Sequence, residues 1–323
     1  MSAPVTQSFG PGNVDELLTT SWYNLIPGIR DNVFKVNPVL NFFYQGKYGG
    51  KMRKRGGVSL SHGEIYAIND TAQSYQRYDT LSMTPQDGMT RDNWPWAQYA
   101  ATVTIDGFTE RVANAGDSKI EEILETKKMQ AEESLNLKLE QHMFAGTPGP
   151  KDIQSLPAII ASSGTIGSIN GTTNTWWAST STTSGSFAAQ GRSDLTALCN
   201  TLSMLNPAGM PEMLISSQSE FQYYESSLVS QERFNTNKLA DIGIKNLEFK
   251  GIPWTWSPQA TTGTIYAIHS GGLEFIVNTD TDFIATPFVT PTNQDAKTSK
   301  LLLACCMTSG NRRKLGKLTS VTA

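Results

Sequence analysis

Apolar and polar positions alternate with a period of two along three early stretches, Val58–Leu60, Glu64–Ile68 and Gln98–Ile105. That period places every second side chain on one face of a strand. Residues 70–96 between them are polar and rich in Tyr, Asp, Thr and Pro. The pattern predicts two long strands with a projecting, irregular region between or beside them. The period then changes to that of a helix over 117–145, where Ile120, Leu124, Ala131, Leu135, Leu139 and Met143 fall near one face. Ser118 and Glu121 have capping-box spacing, Asp117, Glu121, Glu122 and Glu125 suit the positive helix end, and Gly146 and Pro148 stop it. At 1.5 Å per residue such a helix is about 40 Å long, well beyond the usual three turns. It reads as a spine backed by sheet.

After a Gly/Ser/Thr/Asn-rich stretch over 146–192, a second helix is predicted at Ser193–Leu205, with Leu195, Leu198 and Leu202 on one face and Pro207, Gly209 and Pro211 beyond it. Met213–Ser216 reads as a short buried strand, and Gln218–Ser230 as a third helix. Strands then alternate with turns: Leu247–Phe249, Trp254–Trp256, Thr264–His269, Leu273–Val277, Phe283–Ala285 and Lys300–Met307. The first 45 residues differ. A short helical candidate at Val14–Leu18 is followed by apolar anchors, among them Trp22 and Phe34, set between Pro, Gly and Asn breakers. That pattern fits an extended arm laid on another surface, or a segment packed on its own domain.

Composition narrows the function. The chain has 323 residues, enough for a substantial core, yet only 38% are hydrophobic and 17% charged, the balance being Ser, Thr, Asn, Gln and Gly. This suits a sheet-rich protein with long loops and large polar contact surfaces; seven tryptophans argue against disorder. A net charge of -3 gives no global basic bias of the kind that wraps nucleic acid. Cys199, Cys305 and Cys306 make a poor disulfide framework and are expected to be reduced. No basic-then-apolar leader opens the sequence and no run of about 18 apolar residues occurs, so neither a signal peptide nor a membrane span is expected.

No catalytic constellation stands out, and no metal or cofactor site is expected. His62, His142 and His269 are not at metal-ligand spacing from one another or from cysteine, and each reads as a packed or surface histidine. Cys305 and Cys306 point to opposite faces of a strand. The glycines around 46–57 lack the Gly-Lys-Ser/Thr and helix of a phosphate-binding loop, and Glu121-Glu122 and Glu132-Glu133 sit on a helix as a solvated face. The basic run Lys47, Lys51, Arg53, Lys54 and Arg55 has three readings: phosphate binding, a solvated loop tip, or pairing with acidic residues of a neighbouring subunit. Because the rest of the chain is acidic, charge complementarity favours subunit pairing. Trp176 and Trp177, like Trp254 and Trp256, suit either core packing or an interface.

Taken in order, anchored arm, basic hairpin, spine helix, Gly/Thr-rich loop and mixed sheet resemble the tailed-bacteriophage major capsid protein of the Hong Kong 97 fold family. Local phrases that resemble that family are Asp31-Asn32-Val33-Phe34-Lys35-Val36-Asn37-Pro38, Gly56-Gly57 leading into a strand, and Tyr75-Gln76-Arg77-Tyr78-Asp79. Others are Gly164–Gly167 through Asn174-Thr175-Trp176-Trp177, Phe249-Lys250-Gly251-Ile252-Pro253, and Asn293-Gln294-Asp295-Ala296. The resemblance implies an α+β fold. It assigns 1–45 to an N-terminal arm, 46–112 to an extended β-hairpin loop with flanking strands, and 113–174 to a peripheral domain with the spine helix at 118–145. It assigns 175–280 mostly to an axial domain and 281–323 to return strands of both.

The resemblance further implies a non-enzymatic subunit that assembles with copies of itself into hexamers and pentamers of an icosahedral shell. That shell encloses double-stranded DNA without sequence-specific binding, in a virion assembled in the host cytoplasm. Portal, scaffolding and decoration proteins are the partners it suggests; no membrane is involved. The expected inter-subunit residues are Lys47, Lys51, Arg53, Lys54, Arg55, Trp22, Phe34, Trp176 and Trp177. The chain departs from the family's prototype in lacking a long, charged helical pre-segment that acts as a fused scaffold. An encapsulin-like nanocompartment shell shares the fold and is the nearest rival. A soluble β-rich hydrolase and a tail or decoration protein are rivals of other classes.

Overall fold

The computed structural model describes Leu40 and residues 51–108, 120–205, 210–228 and 247–323. The expected Val14–Leu18 helix and the anchors Trp22 and Phe34 lie outside the described residues, as does Lys47.

Two sheets organise the chain. The first contains β1 (Lys51–Lys54), β2 (Ala97–Asp106), β8 (Glu274–Asn278), β9 (Ile284–Ala285) and β10 (Ala296–Thr308). The second contains β3 (Thr180–Thr183), β4 (Met213–Ser216), β5 (Leu247–Phe249), β6 (Ile252–Trp256), β7 (Ile265–Ile268) and β11 (Gly316–Thr319), in the order β5-β6-β4-β7-β11-β3. The long strand β10 is the axis of the first sheet. Leu301 pairs with Ala101 of β2 and with Ala285 of β9, and Cys305 pairs with Ala97 and with Val277 of β8, so β2 lies along one edge and β8 and β9 along the other. β1 adds to β8 in parallel, Arg53 opposite Val277.

Among the described residues four helices pack on this frame: α1 (Ile120–Met143), α2 (Leu156–Ile159), α3 (Arg192–Leu205) and α4 (Gln218–Ser227). α1 is the expected spine, 24 residues long and about 36 Å at 1.5 Å per residue. Ala131, Leu135, Leu139 and Met143, spaced by four, are buried against β2. Its last turn is tied down by His142, whose Nδ1 lies 3.1 Å from both the Tyr99 hydroxyl and Asp152 Oδ1. α3 starts one residue earlier than expected, after a π turn over Phe187–Gly191. α4 ends at Ser227, earlier than the predicted Ser230; it opens with a capping box in which Ser217 and Glu220 satisfy each other's backbone N–H groups.

The second sheet is covered on both faces, which explains why β4 and β7 read as uninterrupted apolar runs. Met213, Ile215, Tyr266 and Ile268 face the core shared with the first sheet and α1. Their neighbours Leu214, Ile265 and Ala267 face a second core with Leu195, Leu198 and Leu202 of α3. In that second core Trp254 is fully buried, stacks on Tyr224 at 4.8 Å, and donates from Nε1 to Ser216 Oγ at 2.8 Å. Gly316 of β11 is where α3 comes closest: a Cβ there would stand 2.9 Å from Leu202 Cδ1.

The alternation over 58–68 does not make one long strand. Ser59–Leu60 pairs with Trp94–Pro95, and Gly63–Ile65 with Met89–Arg91, giving a narrow hairpin interrupted at Ser61-His62. Of its apolar residues Leu60 joins the core, whereas Val58, Ile65 and Ile68 do not and are 96%, 75% and 88% exposed. Only the expected strand over 98–105 is long, and its partner is β10.

Candidate assembly surface

The basic run forms part of a strand rather than a free loop tip. Lys51–Lys54 is β1, and Arg53 donates from Nη2 to Asp282 Oδ2 at 2.9 Å. Arg55 makes a bidentate pair with Asp280, 3.0 Å from Nε to Oδ2 and 3.0 Å from Nη2 to Oδ1. That pairing raises the Arg55 guanidinium's pKa and lowers that of the Asp280 carboxyl. Exposed pairs of this kind contribute little to stability; their effect is to fix the chain where it passes from β1 into the hairpin. Two of the five basic side chains therefore meet acids of their own subunit.

Beyond Gly57 the hairpin leaves the body. Its base is buried and its tip is not. Trp94 is fully buried and Leu60 nearly so, whereas no residue from 66 to 88 is buried. The tip carries Ile68, Tyr75, Tyr78 and Met83 to solvent, Tyr78 at 98% exposure.

The base holds a compact charge cluster. Asp92, buried on the returning strand, accepts from Trp94 Nε1 at 2.5 Å and from the His62 backbone N–H, and lies 2.9 Å from His62 Nδ1. The other ring nitrogen, Nε2, faces Glu274 Oε2 of β8 at 3.5 Å. Asp92 first and Glu274 second hold the imidazole charged and push its pKa up to about 9. Glu64 sits beside them, its pKa pushed up to about 7 by burial and then by the Asp92 charge. Gly167 closes the base from the other side. It accepts from Asn93 N at 2.9 Å, and its φ of +62° puts the backbone against Trp94, 3.2 Å from where a Cβ would stand.

The two tryptophans part company. Trp177 is buried, donates from Nε1 to Ile166 O at 2.9 Å, and lies under the Arg312 guanidinium at 5.5 Å. Trp176 is half-buried and stacks on Tyr66 of the hairpin at 5.6 Å. Arg312 itself is buried, with Nε on Ile159 O and Nη2 on Ala161 O, both at 2.8 Å. Lys317 Nζ reaches Pro157 O at 3.1 Å. These cations cap the C-terminal end of α2, where carbonyls lack helical partners. Burial lowers the Arg312 pKa to about 10.

Of the residues expected at the surface from sequence, Arg53 and Arg55 lie together beside the hairpin base and Trp176 touches the hairpin. The cluster of His62, Glu64, Asp92 and Glu274 was missed, and no spacing in the sequence joins its members. Among the described residues no group of His, Cys, Asp and Glu is arranged to hold a metal ion, and no helix is long and apolar enough to cross a membrane.

This architecture is the Hong Kong 97 fold. A chain from the capsid asymmetric unit of cyanophage A-1(L) superposes with a TM-score of 0.68 at 13% identity, covering 95% of this chain and 99% of that one. A chain of Mycobacterium phage Bobi gives 0.60 at 12% identity, covering 96% and 98%. The SrpI encapsulin of Synechococcus elongatus gives 0.57 at 8% identity, covering 97% and 96%. No family model and no curated protein matches the sequence.

Proposed function

We propose that this chain is the major capsid protein of a tailed phage, acting by self-assembly and not by catalysis. Copies form hexamers and pentamers of an icosahedral shell around double-stranded DNA, held without sequence-specific contacts, in a virion assembled in the host cytoplasm. One observation carries the reading: the fold matches a cyanophage capsid chain over nearly the full length of both. The exposed hairpin supports it, since a tip with no buried residue and several bare apolar side chains needs a neighbour. In this reading 1–45 is an arm, 46–112 contains the reaching loop, 113–174 is the peripheral domain, 175–280 is mostly the axial domain, and 281–323 returns to both. Lys47, Lys51, Arg53, Lys54, Arg55, Trp22, Phe34 and Trp176 contribute to contacts between copies. Portal, scaffolding and decoration proteins complete the particle.

The encapsulin match supports a second reading, a nanocompartment shell enclosing protein cargo. Electron microscopy of the purified full chain tests both against a soluble enzyme. Closed shells, or rings of five and six, are expected; a stable monomer at high concentration overturns the proposal. Nuclease-protected DNA inside particles from the native source is expected for the phage head, and protein cargo for the compartment.

A further inference from the structure

The hairpin joins the body at a place where one cation meets three carboxylates. Asp92 and Glu64 come from the hairpin's own strands, and Glu274 comes from β8 of the body. The other titratable groups facing this cluster are Lys54 of β1, which acts on Glu274, and the Cys306 thiol of β10, which feels Asp92. His62 lies between the two parts: Nδ1 is 2.9 Å from Asp92 and Nε2 is 3.5 Å from Glu274. The second contact is longer than a hydrogen bond to a ring nitrogen, so it depends on charge rather than on directional bonding. Without the positive charge, Asp92 and Glu274 would face one another across the joint with nothing between them but a neutral ring.

We propose that His62 is a charge pivot: its imidazolium, held between Asp92 of the hairpin and Glu274 of the body, sets the angle at which the hairpin projects, and loss of that charge frees the hairpin to swing. The base of the hairpin is anchored in the core by Leu60 and Trp94, so any swing belongs to the part beyond them. Other links at the joint are the Asn93–Gly167 hydrogen bond, the Trp176–Tyr66 stack, and the Cys306 thiol near Pro95 O at 3.3 Å. The charged state persists through neutral pH because both carboxylates favour it, and it ends as the solution passes about pH 9. On the acid side Glu274, whose pKa is lowered chiefly by His62, keeps its charge to below the usual carboxylate range. The hairpin is therefore fixed over the neutral range and released toward alkali. This property belongs to the unassembled chain, so it stands or falls apart from the shell reading.

Spin-label distances on the dilute full chain test it. One pair, Tyr78→Cys with Met129→Cys, spans hairpin tip and spine helix; a control pair, Met129→Cys with Met204→Cys, stays on the body, and all three positions are exposed. Between pH 7 and pH 10 the tip–spine distribution is expected to broaden about twofold while the control is unchanged. His62→Gln is expected to show the broad distribution already at pH 7. Glu274→Gln, which leaves the hairpin's own His62–Asp92 pair intact, does the same even if His62→Gln fails to fold. A tip–spine distribution that stays narrow in Glu274→Gln and in the unsubstituted chain at pH 10 overturns the proposal, and so does equal broadening of the control pair.

Discussion

Glu140 is a buried carboxyl on the spine helix, fully shielded from solvent and accepting from Ser257 Oγ at 2.5 Å. Burial pushes its pKa up to about 7. The folded chain thus holds a proton that the unfolded chain releases above about pH 4.5, so stability falls as pH rises from 4.5 to 7. The size is about 3 kcal/mol. Glu140→Gln, neutral throughout, is expected to flatten the melting temperature over that window, measured by thermal unfolding at several pH values. His62 has the opposite kind of charge but the same sign of slope: its raised pKa gives stability that is complete below about 6.5 and lost as pH rises through about 9. Arg312→Leu should cost about 2–3 kcal/mol, because it leaves the Ile159 and Ala161 carbonyls unpaired in a buried place; chemical denaturation measures it. None of these roles was legible in sequence. His62 read as a packed or surface histidine, which is what any lone histidine suggests, because its partners are set by the folded path of the chain and not by spacing.

Elements fared according to how local their cause is. α1 and α3 were readable because a 3.6-residue apolar period and end signals lie within each segment. Leu139, fully buried on α1, should lose about 2–5 kcal/mol on substitution by Ala, seen as a lower denaturant midpoint. The capping box at Ser217 and Glu220, which marks the start of α4, was missed in the residues. Strand partners were not readable. β2 was foreseen as a strand, yet its mate β10 lies nearly two hundred positions later, and nothing in an alternating pattern names a mate. The hairpin was foreseen as a projection but assigned strands too long, since alternation around Ile65 and Ile68 mimics a half-buried strand while facing water. Because 66–88 contributes nothing to either core, replacing it with a short Gly-Ser turn should leave thermal stability within about 1 kcal/mol of the unaltered chain. The same change is expected to abolish shells in electron micrographs, because the apolar tip is gone.

For the whole molecule, the order of the sheets was beyond the sequence, whereas the class of fold was within reach once arm, hairpin, spine and mixed sheet were taken together. The two sheets are sewn together by the last two strands: β10 carries the first, then a short turn through Arg312 leads to β11, which lies between β7 and β3 in the second. Both cores meet along β4 and β7, so unfolding of the described body is expected to be a single cooperative transition, tested by agreement of calorimetric and van't Hoff enthalpies.

That seam also acts as a clock during synthesis. β2 must wait for β10, and β3 for β11, so a ribosome has to deliver residue 308 before the first sheet, and residue 319 before the second, has its full set of strands. A half-made chain holds its strands open, and only a finished one closes both sheets.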